Sequence, residues 1–133
     1  MNRSTLLALC SLCVLIGLVL YVMAETFSLY WAFWWYDVLV HFFIGFTGGL
    51  GLYWGLFYSG LFFKGELESR AHAVVWTLFC VMLWGGAWEY FEYFFAITDS
   101  HEGYLLDTIN DLVLDGCGGA LGALLASYKR KDG

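Results

Sequence analysis

The segment from Asp37 to Ser59 reads DVLVHFFIGFTGGLGLYWGLFYS, with one acid, one histidine and neither lysine nor arginine. About 20 predominantly apolar residues are enough for an α-helix to cross the hydrocarbon core of a bilayer. The segment is therefore predicted to be a membrane-spanning helix. Its glycines leave room for the backbone of a neighbouring helix to approach closely.

The rest of the chain has the same character. Of its 133 residues, 61% are hydrophobic and 14% are charged, against about 25% charged in ordinary soluble domains. Further spans are predicted at about 6–24, 73–97 and 105–128, and the aromatic run at 29–36 is typical of a membrane interface. The predicted fold is all-α: one integral membrane domain, 1–133, built as a four-transmembrane-helix bundle with an aromatic interfacial segment before the second span.

The first apolar stretch has an alternative interpretation as a signal peptide. It ends in Val22-Met23-Ala24, which has the small final residue of a cleavage site. Its length of about 19 residues exceeds the roughly 7–15 of secretory apolar regions. A retained span is favoured, and cleavage stays open.

The charges predict both orientation and partners. The basic residues all fall on one side of the predicted topology: Arg3, Lys64, Arg70, Lys129, Arg130 and Lys131. Because lysine and arginine collect in short cytoplasmic loops, both termini are predicted to be cytoplasmic. The net charge of -6 excludes nucleic acid as a partner, since such binding needs clustered bases that neutralise phosphates.

Acidic side chains recur inside the predicted spans, where each costs about 2.5–3.5 kcal/mol at a helix centre and is a functional candidate. Asp37 and His41 are four residues apart, and Glu89 and Glu92 are three apart. The last span repeats an acid every fourth residue, at Asp107, Asp111 and Asp115. Each set shares one helical face. Counted from the outer ends of the spans, the deeper members lie at one level, in the outer half of the bilayer. Asp107 is interpreted as a cap of the fourth span.

No lysine or arginine lies at that depth, so only protons or a cation can neutralise the acids. Carboxylates with one imidazole suit zinc, manganese or iron, and carboxylates alone suit magnesium or calcium. A divalent metal ion is the leading hypothesis, and two metal ions stay open. Its predicted ligands are Asp37, His41, Glu89, Glu92, Asp111 and Asp115. The alternatives are a proton or cation pathway and a non-enzymatic scaffold or assembly subunit, in which hydrogen bonds between protonated acids fix helix register.

The glycines predict close helix packing within the bundle. Gly51-x-x-x-Gly55 has an alternative role as a face for homo-oligomers.

Three short motifs carry a family resemblance. They are Trp35-Tyr36-Asp37-Val38-Leu39-Val40-His41-Phe42-Phe43, Trp88-Glu89-Tyr90-Phe91-Glu92 and Asp107-Thr108-Ile109-Asn110-Asp111. Together with the glycine-rich last span they resemble YjdF-like inner-membrane proteins and, more distantly, VanZ-like proteins. Asp115 departs from the YjdF-like pattern, which tends to carry asparagine there. The resemblance implies a bacterial cytoplasmic (inner) membrane protein, and the VanZ-like association with glycopeptide resistance suggests work on a lipid or cell-envelope intermediate.

Overall fold

The structure is a computed structural model, and it describes residues 2–62, 69–95 and 103–128. Within those ranges the chain forms five helices and no strand: α1 (Arg3–Phe27), α2 (Leu29–Ala32), α3 (Trp34–Phe57), α4 (Arg70–Phe95) and α5 (Tyr104–Ser127). All except α2 are long and apolar enough to cross a membrane. The prediction of an all-α bundle with four spans is confirmed.

The first two spans are separated by a short helix. α1 ends at Ser28, which adopts the left-handed conformation (φ 52°) and donates its backbone N–H to the carbonyl of Ala24. The four residues of α2 follow, and extended backbone at Phe33 divides them from α3. The break therefore lies at Phe33 and not near Asp37, where the sequence predicted it. Asp37 falls in the first turn of α3, where a negative charge favours the helix and does not end it.

Two described basic residues lie at the same end of the bundle. The guanidinium of Arg3 stands 5.7 Å from the ring centroid of Trp54, near the end of α3. Arg70, at the start of α4, donates from Nε to Oγ of Ser127 at 2.9 Å. We call this the basic end. The other bases, Lys64 and those after residue 128, lie outside the described residues, as does the predicted outer loop with His101.

α3 and α5 form the central and most extensive helix pair. Gly45 and Gly49 of α3 face Gly118 and Gly122 of α5, and a Cβ at any of the four would strike a backbone carbonyl of the other helix. The two backbones are thus in direct contact, as predicted for close packing between small residues. A Cβ on Gly51 or Gly55 would meet nothing within 4 Å. These two glycines pack against no other described helix.

The core lies towards the basic end and joins all four long helices. It is apolar and consists of Leu6, Cys10, Cys13, Leu50, Tyr53, Ala73, Ala123 and Ala126. Most other large apolar side chains point outwards, as at Leu15 (61% exposed) and Trp34 (84% exposed). Such an exterior would be a severe liability in water. It suits a chain whose outer surface contacts the lipid bilayer.

Candidate functional site

Three helices carry the predicted acids to one level. His41 lies seven residues after the start of α3, Asp111 seven residues after the start of α5, and Glu89 six residues before the end of α4. At about 1.5 Å per residue each is roughly 10 Å inside its helix end. This end is opposite the basic end. We call it the site end.

His41 is the centre of the group. Its Nε2 lies 3.6 Å from Oδ1 of Asp37, one turn earlier on α3, and 3.7 Å from Oδ1 of Asp111 on α5. One donor atom from each of these three residues fits within 4.8 Å of the other two. The α3–α5 contact at Gly118 lies directly beside His41 along α3, since a Cβ there would strike the carbonyl of Phe42, the next residue. Close backbone packing therefore sets the distance between the histidine and Asp111.

Asp115 lies on the other side of the imidazole ring. Its Oδ1 is 3.4 Å from Nδ1 of His41, and it has no hydrogen-bond partner among the described residues. The ring thus lies between two acidic regions, with Asp37 and Asp111 on Nε2 and Asp115 on Nδ1. Both ring nitrogens of His41 therefore lie close to carboxyl oxygens.

Glu89 is the α4 member of the group. The residue is 4% exposed, and its Oε1 has no hydrogen-bond partner in the part of the chain that the structure describes. It is close enough to His41 and Asp115 for charge interactions. Its backbone carbonyl accepts a hydrogen bond of 3.1 Å from the hydroxyl of Tyr104, which ties the end of α4 to the start of α5.

Two acids lie at the margin. Glu92 is only partly buried, and its Oε1 accepts a 2.8 Å hydrogen bond from Nε1 of Trp88. Asp107 is partly buried in the first turn of α5, but the N-cap residue of that helix is Gly103. The interpretation of Asp107 as the cap is therefore wrong, because the helix begins one turn before it. A negative charge in a first turn still interacts favourably with the helix dipole.

The side chains around His41 are most exposed at Asp37 and become more buried towards the interior of the bundle. The side chain of Asp37 is 37% exposed, against 12% for His41 and 5% for Asp111. Above it, Tyr30 of α2 packs edge-to-face on Tyr36 with ring centroids 5.6 Å apart. Burial, with the carboxylate of Asp37 nearby, raises the pKa of Tyr30 well above its ordinary value. At the mouth of the site the carboxyl group of Asp37 thus lies near the phenol of Tyr30.

Sequence reasoning missed two contributors. Thr108 has a buried hydroxyl that, like Glu89 Oε1, lacks a hydrogen-bond partner among the described residues. Its position three residues before Asp111 places it on the same helical face, which was the available signal. Gly85 lets α4 approach the site, because a Cβ there would lie 2.9 Å from Oδ2 of Asp115. No sequence signal distinguishes Gly85 from Gly86, whose Cβ would meet nothing.

A family model described as "Predicted membrane protein (DUF2238)" matches residues 2–132. The chain belongs to this family. The match covers all the helices and all the candidate site residues of this DUF2238 protein, and it agrees with the four candidate spans. No curated protein matches the chain, and no solved structure does.

Proposed function

We propose that this DUF2238 protein holds a divalent metal ion inside the membrane. Nε2 of His41 and the carboxylates of Asp37 and Asp111 bind the ion directly, with Glu89 and Glu92 as the further acidic groups beside it. The metal then supports chemistry on a lipid or cell-envelope intermediate. The observation that carries the proposal is the spacing of the donor atoms around His41.

That spacing suits a shared cation better than hydrogen bonds. The distances of 3.6 and 3.7 Å from Nε2 to the two carboxylates exceed the roughly 2.7–3.2 Å of an N–H···O hydrogen bond. Ligands about 2.1 Å from a tetrahedral zinc ion lie about 3.4 Å from one another. The two distances from Nε2 are therefore close to the separation of ligands around one metal ion.

Charge balance supports the same conclusion. The spans contain no lysine or arginine between residues 4 and 63 or between residues 71 and 128. Oxygens of Asp115 and Glu89 are buried without hydrogen-bond partners among the described residues, and such burial is costly for a charged group. A divalent cation lowers that cost for every carboxylate around it.

Asp115 takes a different role from the one its spacing suggested. The sequence places it among the metal ligands, but it lies on Nδ1, away from the nitrogen that faces Asp37 and Asp111. Metal-binding histidines commonly direct their second ring nitrogen to a carboxylate, which fixes the orientation of the ring. We therefore assign Asp115 as the positioning group of His41.

The types of ligand also limit which metal ion the proposed site would bind. One imidazole with carboxylates is typical of zinc, manganese or iron, whereas magnesium and calcium prefer oxygen ligands throughout. A metal of this kind activates a bound water or polarises a phosphoryl or carbonyl oxygen. The half-exposed Asp37 is the side on which such a group would enter.

The setting of the site is part of the proposal. The basic residues favour cytoplasmic termini, which puts the site end in the outer half of a bacterial inner membrane. The motifs around Asp37, Glu89 and Asp111 that resemble YjdF-like and VanZ-like proteins support work at the cell envelope.

Elemental analysis of protein purified in detergent tests the proposal. We expect about one equivalent of a divalent metal in the wild type and less than a tenth of that in His41→Ala, since losing even an outer-shell partner lowers affinity about 10–100-fold. The matched control is His72→Ala, an exposed histidine near the start of α4, which should keep its metal. A wild type without stoichiometric metal, or with the same content as His41→Ala, would sink the proposal.

Measurements of ion flux distinguish a proton or cation pathway from the proposed metal site. A relay requires ionisable groups continuing towards the basic end, and from Phe42 to Phe57 α3 has none apart from Tyr53. We expect proteoliposomes of the wild type and Asp111→Asn to show the same flux. A flux that Asp111→Asn abolishes would favour the pathway over the metal site.

A further inference from the structure

The α4 side of the site contains polar groups that the metal position at His41 does not use. Glu89 is 4% exposed, and its Oε1 has no hydrogen-bond partner among the described residues. Oγ1 of Thr108, on α5, is also buried and has no such partner there, although this hydroxyl lies near the carboxyl group of Glu89. Buried polar atoms normally bind another group. The two oxygens therefore point to a ligand between α4 and α5.

One face of α5 runs along α4 at this point. A spacing of four, three and four residues keeps one set of side chains on that face: Tyr104, Thr108, Asp111 and Asp115. The hydroxyl of Tyr104 donates to the carbonyl of Glu89 at 3.1 Å. At the other end of the face, a Cβ on Gly85 would lie 2.9 Å from Oδ2 of Asp115. The two middle residues of the face therefore lie between these contacts, beside the stretch of α4 from Gly85 to Glu89.

Asp111 connects this region with the position at His41. Its Oδ1 lies 3.7 Å from Nε2 of the histidine, and its carboxyl group is close enough to Glu89 for a charge interaction. A carboxylate has two oxygens, and in carboxylate-rich two-metal sites the two ions lie about 3.5–4 Å apart. Asp111 can thus bind one ion through Oδ1 and a second ion through Oδ2.

The charge at the site end exceeds what one divalent ion can balance. No lysine or arginine occurs between residues 4 and 63 or between residues 71 and 128. One divalent ion offsets the charge of two carboxylates, and leaving further carboxylates buried and charged is costly. Six acids lie in the site-end parts of the spans: Asp37, Glu89, Glu92, Asp107, Asp111 and Asp115. A second divalent ion would halve the negative charge that the first leaves.

The ligands on the α4 side select a different kind of ion. Glu89, Thr108 and the second oxygen of Asp111 offer two carboxylates and a hydroxyl, with no imidazole. Magnesium is commonly bound through one or two carboxylates and keeps several waters, whereas calcium takes six to eight oxygen ligands. A serine or threonine hydroxyl is also an established magnesium ligand. The set therefore fits magnesium better than calcium.

We propose that Glu89 and Thr108, with Asp111 as a shared carboxylate, hold a magnesium ion beside the metal ion at His41. This inference rests on the proposed metal site, which it extends to a two-ion centre. Asp115 keeps its role as the positioning group of the histidine. Since only Glu89 and Thr108 belong to the second ion alone, that ion is bound more weakly and exchanges with the buffer.

Titration of zinc-loaded protein with manganese tests the inference. Mn²⁺ substitutes for Mg²⁺, and its free aqua ion is counted by electron paramagnetic resonance. Zinc keeps the position at His41, because it binds more tightly than manganese to a given set of ligands. We expect one Mn²⁺ per wild-type chain in addition to the zinc. Glu89→Gln and Thr108→Val should each lower the manganese affinity by about tenfold or more, with the zinc content unchanged.

Two control variants match these substitutions. Glu92→Gln removes a carboxylate at the same end, but that group already accepts a hydrogen bond from Trp88. Thr77→Val removes a buried hydroxyl that donates to the carbonyl of Ala73 at 2.8 Å. Glu92→Gln should change the manganese affinity less than about threefold, and Thr77→Val should leave it unchanged.

Three outcomes overturn the inference: no manganese bound beyond the zinc, equal affinity in Glu89→Gln and the wild type, or an equal loss in Glu89→Gln and Glu92→Gln. The first two mean that protons or a buried water satisfy Glu89, and the third that net charge alone attracts the ion. Zinc content measured on the same samples separates the two proposals. Zinc that depends on His41, without Glu89-dependent manganese, overturns the second ion alone. Glu89-dependent manganese in protein that binds no zinc overturns the position at His41 and supports the one at Glu89.

Discussion

The two ends of the α3–α5 pair are built on the same glycine contact but bury opposite chemistry. Towards the basic end, the helices enclose an apolar core that includes Leu50 and Ala123. The guanidinium of Arg70 at that end donates a hydrogen bond to Ser127. At the site end, they enclose Asp111, Asp115 and His41. Close packing fixes both ends, but only the site end depends on a proton or cation for its charge balance.

The largest effect should come from breaking the contact that the two ends share. Gly118→Leu drives a side chain into the carbonyl of Phe42, and overpacking of this kind costs about 1–3 kcal/mol or more. We expect a much lower thermal midpoint in detergent, with loss of metal as well. Gly55→Leu, in open space on α3, is the control. Equal midpoints for the two variants would contradict the shared contact.

A smaller effect, confined to the site end, should follow from removing one ligand. Asp111→Asn keeps the shape of the side chain and removes its charge, so we expect metal affinity to fall about 100-fold. Asp107→Asn, one turn earlier and more exposed, should change it less than about threefold. Competition titration with a chelating dye measures both. Equal losses would mean that net charge, not the geometry at His41, determines binding.

The role of Asp115 gives an intermediate prediction. If this residue positions His41 and does not bind the metal, Asp115→Asn should lower affinity by about tenfold, at the weak end of outer-shell effects. The coordination seen by X-ray absorption should stay the same, with one imidazole in the shell. A changed number of oxygen ligands would identify Asp115 as a direct ligand.

The smallest effect should appear in protein stripped of metal. Glu89 is buried with an oxygen that has no hydrogen-bond partner among the described residues, and glutamine there removes a buried negative charge. Glu89→Gln should therefore raise the stability of chelated protein by about 1 kcal/mol. Thermal scans with and without chelator measure the change. Glu92→Gln, nearer the surface, is the control and should have little effect.

Sequence patterns predicted the spans and the acidic group because hydropathy and helical periodicity are properties of single helices. The level of His41, Glu89 and Asp111 follows from counting residues along each span. Two features depend on the neighbouring helix and left no such signal. Gly45 and Gly49 pack against α5 while Gly51 and Gly55 do not, and Asp115 faces Nδ1 and not Nε2. The rotation of each helix about its axis decides both.

The break before α3 is a third case. The aromatic run from residue 29 to 36 gave no reason to place the helix break at Phe33. The extended backbone at Phe33 is stabilised by hydrogen bonds to the helix ends on either side of it. The N–H of Phe33 donates to Leu29 and its carbonyl accepts from Tyr36. Pairing of this kind is local, but hydropathy does not detect it.

Anomalous X-ray diffraction from crystals of the metal-loaded protein tests the central claim most directly. We predict one dominant anomalous peak between α3 and α5, about 2.0–2.2 Å from Nε2 of His41 and from carboxylate oxygens of Asp37 and Asp111. The peak should be absent in His41→Ala crystals grown under the same conditions. A wild-type map without a peak at that position, with the side chains joined by direct hydrogen bonds instead, would contradict the account.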